Sequence, residues 1–151
     1  MANNSYANIL VPYDGSKFSQ KALDVAKTFA KRFDSTLHIA TVVDLSDVAS
    51  PGMIRSKGIK TIEQIRTSIK QSAKTIILQK ENECTTEKIK TKGWILEGPT
   101  TSELLKLIKE NRTDLVIIGS RGLSGFSKMM ALGSVSRKIS ELSDCPVMII
   151  H

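Results

Sequence analysis

Five short apolar runs, each separated from the next by a segment of helical periodicity, constrain this chain more than any other feature. The runs are Ala7 to Pro12 (ANILVP), Thr36 to Val43 (TLHIATVV), a stretch starting near Lys88 and ending in Gly93-Trp94-Ile95-Leu96, Asp114 to Ile118 (DLVII) and Pro146 to Ile150 (PVMII). Continuous apolar, β-branched runs of this length read as strands buried on both faces. Between them, Phe18, Ala22, Val25, Ala26, Phe29 and Phe33 recur at steps of three and four. Ile62, Ile65, Ile69, Ala73 and Ile76 do the same and mark one face of a long helix. Leu104, Leu105, Leu107 and Ile108 belong to a third helix, and Val135, Ile139 and Leu142 to a last one. Such spacing lines one face of a helix. Strand and helix alternating from end to end predict an α/β fold of three layers, α/β/α, around a five-stranded parallel Rossmann-like sheet. The crossovers are expected to be right-handed. A length of 151 residues fits one domain spanning 1–151.

The punctuation agrees with this reading. Tyr13-Asp14-Gly15-Ser16 stops the first strand and can cap the helix that follows. Thr100 and Glu103, after the break at Gly98-Pro99, have the spacing of a capping box. Ser134 is placed to cap the last helix. Asp44 to Ile59, with Ser50-Pro51-Gly52 at its centre, has no clear periodicity and reads as a long loop, functional or mobile.

Several function classes are disfavoured. No apolar run approaches the roughly 18 residues of a membrane helix. The opening MANNSYANILV lacks a basic region followed by a long apolar stretch, so no secretory signal is expected and the protein reads as cytoplasmic. Cys84 and Cys145 form neither a C-x-x-C pair nor a disulfide framework. His38 and His151 lie far apart, and His38, within an apolar strand, reads as a packed residue; no metal site is expected. The net charge of +7 is compatible with an anionic partner, but the cations are dispersed. The densest cluster, Lys88-Ile89-Lys90-Thr91-Lys92, alternates as on the exposed side of a strand. Seven aromatic residues provide no stacking platform for single-stranded nucleic acid, so a solvated surface is the simpler reading.

In open parallel sheets, ligands bind beyond the carboxyl ends of the strands, where strand order reverses. Two turns at such ends have unusual composition: Pro12-Tyr13-Asp14-Gly15-Ser16 and Gly119-Ser120-Arg121-Gly122-Leu123-Ser124-Gly125. A further pair, Gly133-Ser134, opens the last helix. Glycine lets backbone approach a ligand closely, and amides at a helix N-terminus attract an anion. One helix-dipole contact is worth only about 0.3–1 kcal/mol, so several must converge. Hydroxyls of Ser134 and Ser136 can add hydrogen bonds, and Arg121 and Lys128 either assist with phosphate charge or serve solubility. Asp14 has two readings, as an acceptor for ribose hydroxyls or as the cap of the following helix. Neither common phosphate loop is present: there is no G-x-x-x-x-G-K-[ST], and no G-x-G-x-x-G follows the first strand.

ILVPYDGS at 9–16, DLVIIGSRGLSGF at 114–126, LGSVS at 132–136 and CPVMII at 145–150 together resemble the universal stress protein family over nearly the whole chain. The resemblance implies strand order 3-2-1-4-5 and, in nucleotide-binding members, a motif G-x2-G-x9-G-[ST]. Gly119, Gly122, Gly133 and Ser134 match its fixed positions. By resemblance, Asp14 binds ribose with Pro12 and Tyr13 beside it, and Gly119 lies near the same sugar. Gly122, Gly133, Ser134 and Val135 hold phosphates, Val42 contacts adenine, and Ile118 lines the base or ribose pocket. The implied ligand is ATP, or AMP or ADP, with any Mg²⁺ held through phosphate oxygens and water. The chain departs from the motif in having ten residues, Leu123 to Leu132, between Gly122 and Gly133. The extra residue is expected either to bulge near Gly125 or Ser127 or to rotate the loop away from the phosphates. Family likeness also implies homodimers paired through Val147 to Ile150, which would cover an apolar edge strand.

Three functions compete on these grounds. The first is a nucleotide-binding regulatory module of the stress response. The second is a slow ATPase, or a protein that phosphorylates itself on Ser134 or Ser136. No general base, Walker-type metal aspartate or arginine finger supports efficient turnover. The third is a dimeric interaction protein without nucleotide.

Overall fold

In the computed structural model, which describes residues 5–46, 61–123 and 132–151, each apolar run becomes a strand and each periodic segment a helix. The order is β1 (Asn8–Pro12), α1 (Lys17–Phe33), β2 (Thr36–Val43), α2 (Ile62–Thr86), β3 (Thr91–Glu97), α3 (Thr100–Glu110), β4 (Leu115–Gly119), α4 (Ser134–Leu142) and β5 (Val147–Ile150). All strand pairs are parallel, in the order β3-β2-β1-β4-β5.

Side chains alternate between the sheet's two faces, so each strand feeds two cores. Ile9, Val11, Leu37, Ile39, Leu115 and Ile117 pack with Ala22, Leu23, Ala26 and Ala30 of α1 and Ile77 and Cys84 of α2. Leu10, Ala40, Val116 and Ile118 pack on the other face with Leu104, Leu107 and Ile108 of α3 and Ile139 of α4. Burial of one such aliphatic side chain is worth about 1.5–3 kcal/mol. The paired cores therefore hold all five strands and position their carboxyl ends.

Some local expectations are corrected. The third strand starts at Thr91, because Lys88 adopts a left-handed conformation (φ 59°) that ends α2 and turns the chain into the sheet. Thr100 does not cap α3: Pro99 occupies the cap position, the first turn has no side-chain cap, and Glu103 instead lies against Gly98. Ser134 is the first residue of α4, and Gly133 takes its cap position. A full capping box occurs at Thr61 and Gln64, before α2. On α2, Ala73, Ile77 and Cys84 are buried, whereas Ile69 and Ile76 are exposed. This helix packs on β2 and β3 at the margin of the sheet, so only a narrow stripe is covered. Most of the long loop expected after β2, and the bulge expected near Gly125 or Ser127, lie outside the described residues, as does Lys128. Among the described residues, no helix is long and apolar enough to cross a membrane.

Candidate functional site

The site begins where the sheet divides. β1 and β4 pair through Ile9 with Leu115 and Leu10 with Val116, near their starts. Further on, the Tyr13 amide donates to the Ala40 carbonyl at 2.8 Å and keeps β1 with β2. The Ser120 amide donates to the Ile150 carbonyl at 2.8 Å and keeps β4 with β5. A crevice opens between the two halves, at the point where connections run off in opposite directions.

A cavity of about 490 Å³ occupies this crevice. All ten residues that the family resemblance places at a ligand site line it. Pro12, Tyr13 and Asp14 come from the end of β1, Val42 from β2, and Ile118 and Gly119 from β4. Gly122 comes from the following loop, and Gly133, Ser134 and Val135 from the start of α4. The wall also contains Ser19, Ala40, Thr100, Leu104, Leu123 and Leu132, to none of which the sequence assigns a ligand role. Ala40 and Leu104 carry no chemical signature, and Thr100 was assigned to capping. Only knowing that α3 begins beside the end of β2 brings them in; there the Gly98 amide donates to the Val43 carbonyl at 3.1 Å.

Asp14 does not cap α1. That task belongs to Ser16, whose Oγ accepts the Ser19 amide at 3.1 Å. Asp14 Oδ1 accepts the Ser16 amide at 2.9 Å, and Oδ2 accepts the Leu123 amide at 3.0 Å. The carboxylate thus bridges the loop after β1 and the loop after β4 across the crevice. Each carboxylate oxygen has two lone pairs, so each retains capacity for one further donor.

Two glycines are explained by close approach within the protein. A Cβ on Gly119 would fall 2.7 Å from the carbonyl carbon and 2.8 Å from the carbonyl oxygen of Phe18, so a side chain there would collide with the first turn of α1. A Cβ on Gly122 would fall 2.7 Å from Asp14 Oδ2.

Gly133 is different: its amide donates to the Ser120 carbonyl at 2.8 Å and closes the loop onto the end of β4. The first turn of α4 has no side-chain cap, which leaves its leading amides suited to an anion. Ser136 is buried and its hydroxyl donates to the Gly119 carbonyl at 2.7 Å, so it braces α4 against β4 and is not presented for modification. Arg121 lines the cavity with its guanidinium carbon 5.8 Å from the Phe18 ring centre.

His38 lies outside this wall. Its Nδ1 accepts the Trp94 indole N–H at 3.0 Å, and its Nε2 lies 3.2 Å from Asn8 Oδ1. Burial first, and Lys92 second, push its pKa below the usual 6.5. It is a neutral, packed histidine that ties β1, β2 and β3 together. Cys84 is fully buried, and burial pushes its thiol pKa up, which disfavours the reactive thiolate. Among the described residues, no cluster of three or more His, Cys, Asp or Glu is arranged to hold a metal ion.

Comparison with known proteins places these features in a family context. The profile of the universal stress protein family matches residues 5–151. The chain is 33% identical to universal stress protein YxiE of Bacillus subtilis, over 97% of this chain and 99% of that one. Universal stress protein UspA from Lactobacillus plantarum superposes with a TM-score of 0.81 at 25% identity, covering 97% and 98% of the two chains. A universal stress protein solved in complex with cAMP gives a TM-score of 0.68 at 24% identity, covering 97% and 98%. The universal stress protein from Archaeoglobus fulgidus in complex with dAMP gives 0.66 at 17% identity, with the same coverage.

Proposed function

The chain belongs to the universal stress protein family, and we propose that it is an adenine-nucleotide-binding member, a cytoplasmic regulatory module of the stress response that works as a homodimer. ATP is the expected ligand, with AMP and ADP as alternatives. The observation that carries this reading is the meeting of three distant segments, 12–14, 118–122 and 133–135, around one cavity of about 490 Å³. That volume is within the usual range of small-molecule sites, roughly 300–1,000 Å³.

The chemistry of the wall matches the parts of a nucleotide. Val42 and Ile118 offer apolar surface to a base. Asp14, with Pro12, Tyr13 and Gly119 around it, offers a carboxylate to ribose hydroxyls. Gly122, Gly133, Ser134 and Val135 offer main chain and the uncapped start of α4 to phosphate oxygens. The related proteins solved with cAMP and dAMP carry an adenine base, which supports the same ligand class here.

A magnesium ion accompanying ATP would be held by phosphate oxygens and water. Asp14 is the one carboxylate on the described wall, and it already receives two amides. The same fact favours binding over rapid hydrolysis, since no second carboxylate stands there to activate water.

Calorimetry with ATP and magnesium tests the proposal. The wild type should give saturable heat at one nucleotide per chain. Gly122→Val should abolish it, because its side chain displaces the Asp14 carboxylate. Absence of heat in the wild type, or an unchanged isotherm in the variant, refutes the reading.

A further inference from the structure

Five hydroxyl-bearing residues line the cavity: Tyr13, Ser19, Thr100, Ser134 and Ser136. Three of these hydroxyls are already donors within the protein. Tyr13 donates to Gln20 Oε1 at 3.0 Å, Ser19 to the Ser16 carbonyl at 3.0 Å, and Ser136 to the Gly119 carbonyl at 2.7 Å. Among the described residues, Ser134 and Thr100 hydroxyls have no such partner. Both are the first residue of a helix whose cap position, Gly133 or Pro99, supplies no side-chain hydrogen bond.

These two hydroxyls stand over different strands. Ser134 follows Gly133, which is bonded to the end of β4. Thr100 follows Gly98, which is bonded to the end of β2. With β1 between β2 and β4, the two positions are separated by about two strand spacings, roughly 10 Å. The surroundings differ as well. On the β2 side, Thr100 shares the wall with Ala40, Val42 and Leu104, all part of one apolar cluster that also contains Ile118. A hydroxyl in apolar surroundings gains most from a ligand atom that can pair with it, since an unpaired polar group is costly to bury.

We propose that the Thr100 hydroxyl is the polar contact for the ring edge of the base, and so a specificity-determining residue of the nucleotide site. The inference rests on the adenine-nucleotide reading and assigns its base end. The T-x-x-E spacing at Thr100 and Glu103 forms no capping box, because Pro99 takes the cap position and Glu103 lies against Gly98; Thr100, on the cavity wall, is therefore not engaged as a cap.

The experiment compares wild type, Thr100→Val and Thr100→Ser by calorimetry, each titrated with ATP and with ribose 5-triphosphate, which lacks the base. Valine keeps the branched shape and removes the hydroxyl. It should weaken ATP binding about threefold to tenfold, the size of one neutral hydrogen bond, and leave ribose 5-triphosphate unchanged. Serine should retain ATP affinity within about twofold. Equal ATP affinity in wild type and valine variant overturns the role of Thr100 while the nucleotide reading stands. Equal weakening toward both ligands also overturns it, because the hydroxyl then does not report on the base. A wild type that binds neither ligand removes both proposals.

Discussion

At the scale of single residues, the glycines around the cavity have separate physical reasons, and substitution by alanine separates them. A Cβ added at Gly119 would fall 2.7 and 2.8 Å from the Phe18 carbonyl atoms, and that backbone belongs to the first turn of a packed helix. Gly119→Ala should therefore lower unfolding free energy by about 1–3 kcal/mol, as overpacking does. Gly133 has φ −60°, and a Cβ there meets its nearest neighbours, Arg121 Cα and the Ser120 carbonyl oxygen, at 3.4 Å. Gly133→Ala should cost less, up to about 1 kcal/mol, because the added Cβ meets only ordinary contacts and the loss is that of a poorer cap residue. Urea unfolding of both variants checks the pair; equal losses would contradict this division. The residue-level content of the sequence was unevenly legible. Asp14 and the glycines were visible as candidates because their types are unusual at strand ends. Their internal bonds were not, because Asp14 to Leu123 spans 109 positions. Thr100 was misread because its local spacing was a valid capping signal, and only the placement of Pro99 overrode it.

Among the elements, strands were the easiest to locate, since burial on both faces leaves a continuous apolar run. Helix faces were harder. On α1, buried Ala22 and Ala26 follow the expected periodicity, whereas Ile69 and Ile76 of α2 follow a similar one and stay exposed. Periodicity records which side chains share a face, but the amount of cover depends on a helix's place over the sheet. Strand order is also invisible in the pattern of elements; the family resemblance supplied it. β5 is an outer strand of that order and carries the element-scale prediction. Met148 and Ile150 pack toward one core, Val147 and Ile149 toward the other, and all four remain half-buried. Among the described residues no strand pairs with its outer edge, an edge of the sort proteins cover or pair. At the opposite margin, by contrast, the Gly93 amide of β3 is already received by Glu81 at 2.6 Å. The proposed homodimer therefore pairs through β5. Sedimentation equilibrium should give twice the 16.6 kDa chain mass, and hydrogen exchange at 147–150 should slow as protein concentration rises. A single-chain mass at every concentration would exclude this association.

The whole molecule responds to acid through the contact that joins three of its strands. Neutral His38 accepts the Trp94 indole N–H on Nδ1 and can donate from Nε2 to Asn8 Oδ1, which links β3, β2 and β1. Protonation would set an N–H on Nδ1 against the indole N–H and place a second cation beside Lys92, the strand partner of His38. The α3 residues buried on this face, Leu104, Leu107 and Ile108, are apolar and offer the imidazolium no compensating charge. The folded pKa thus lies below the unfolded value near 6.5, first through burial and then through Lys92. Below pH 6.5 the unfolded chain takes up the proton more readily, so stability falls as pH drops toward and through the folded pKa, and is fully restored above 6.5. The slope contributed by this one site is at most about 1.4 kcal/mol per pH unit. Glu87 does not obscure the window. Hydrogen bonds from Lys31 and then Lys27 hold its pKa to about 2, so its own contribution is lost only below about 4.5. His38→Gln does not titrate and keeps an oxygen able to accept the indole N–H. Urea unfolding between pH 7 and 5 should therefore show a shallower loss of stability in this variant than in the wild type. Parallel profiles would mean that the histidine does not couple the sheet to pH.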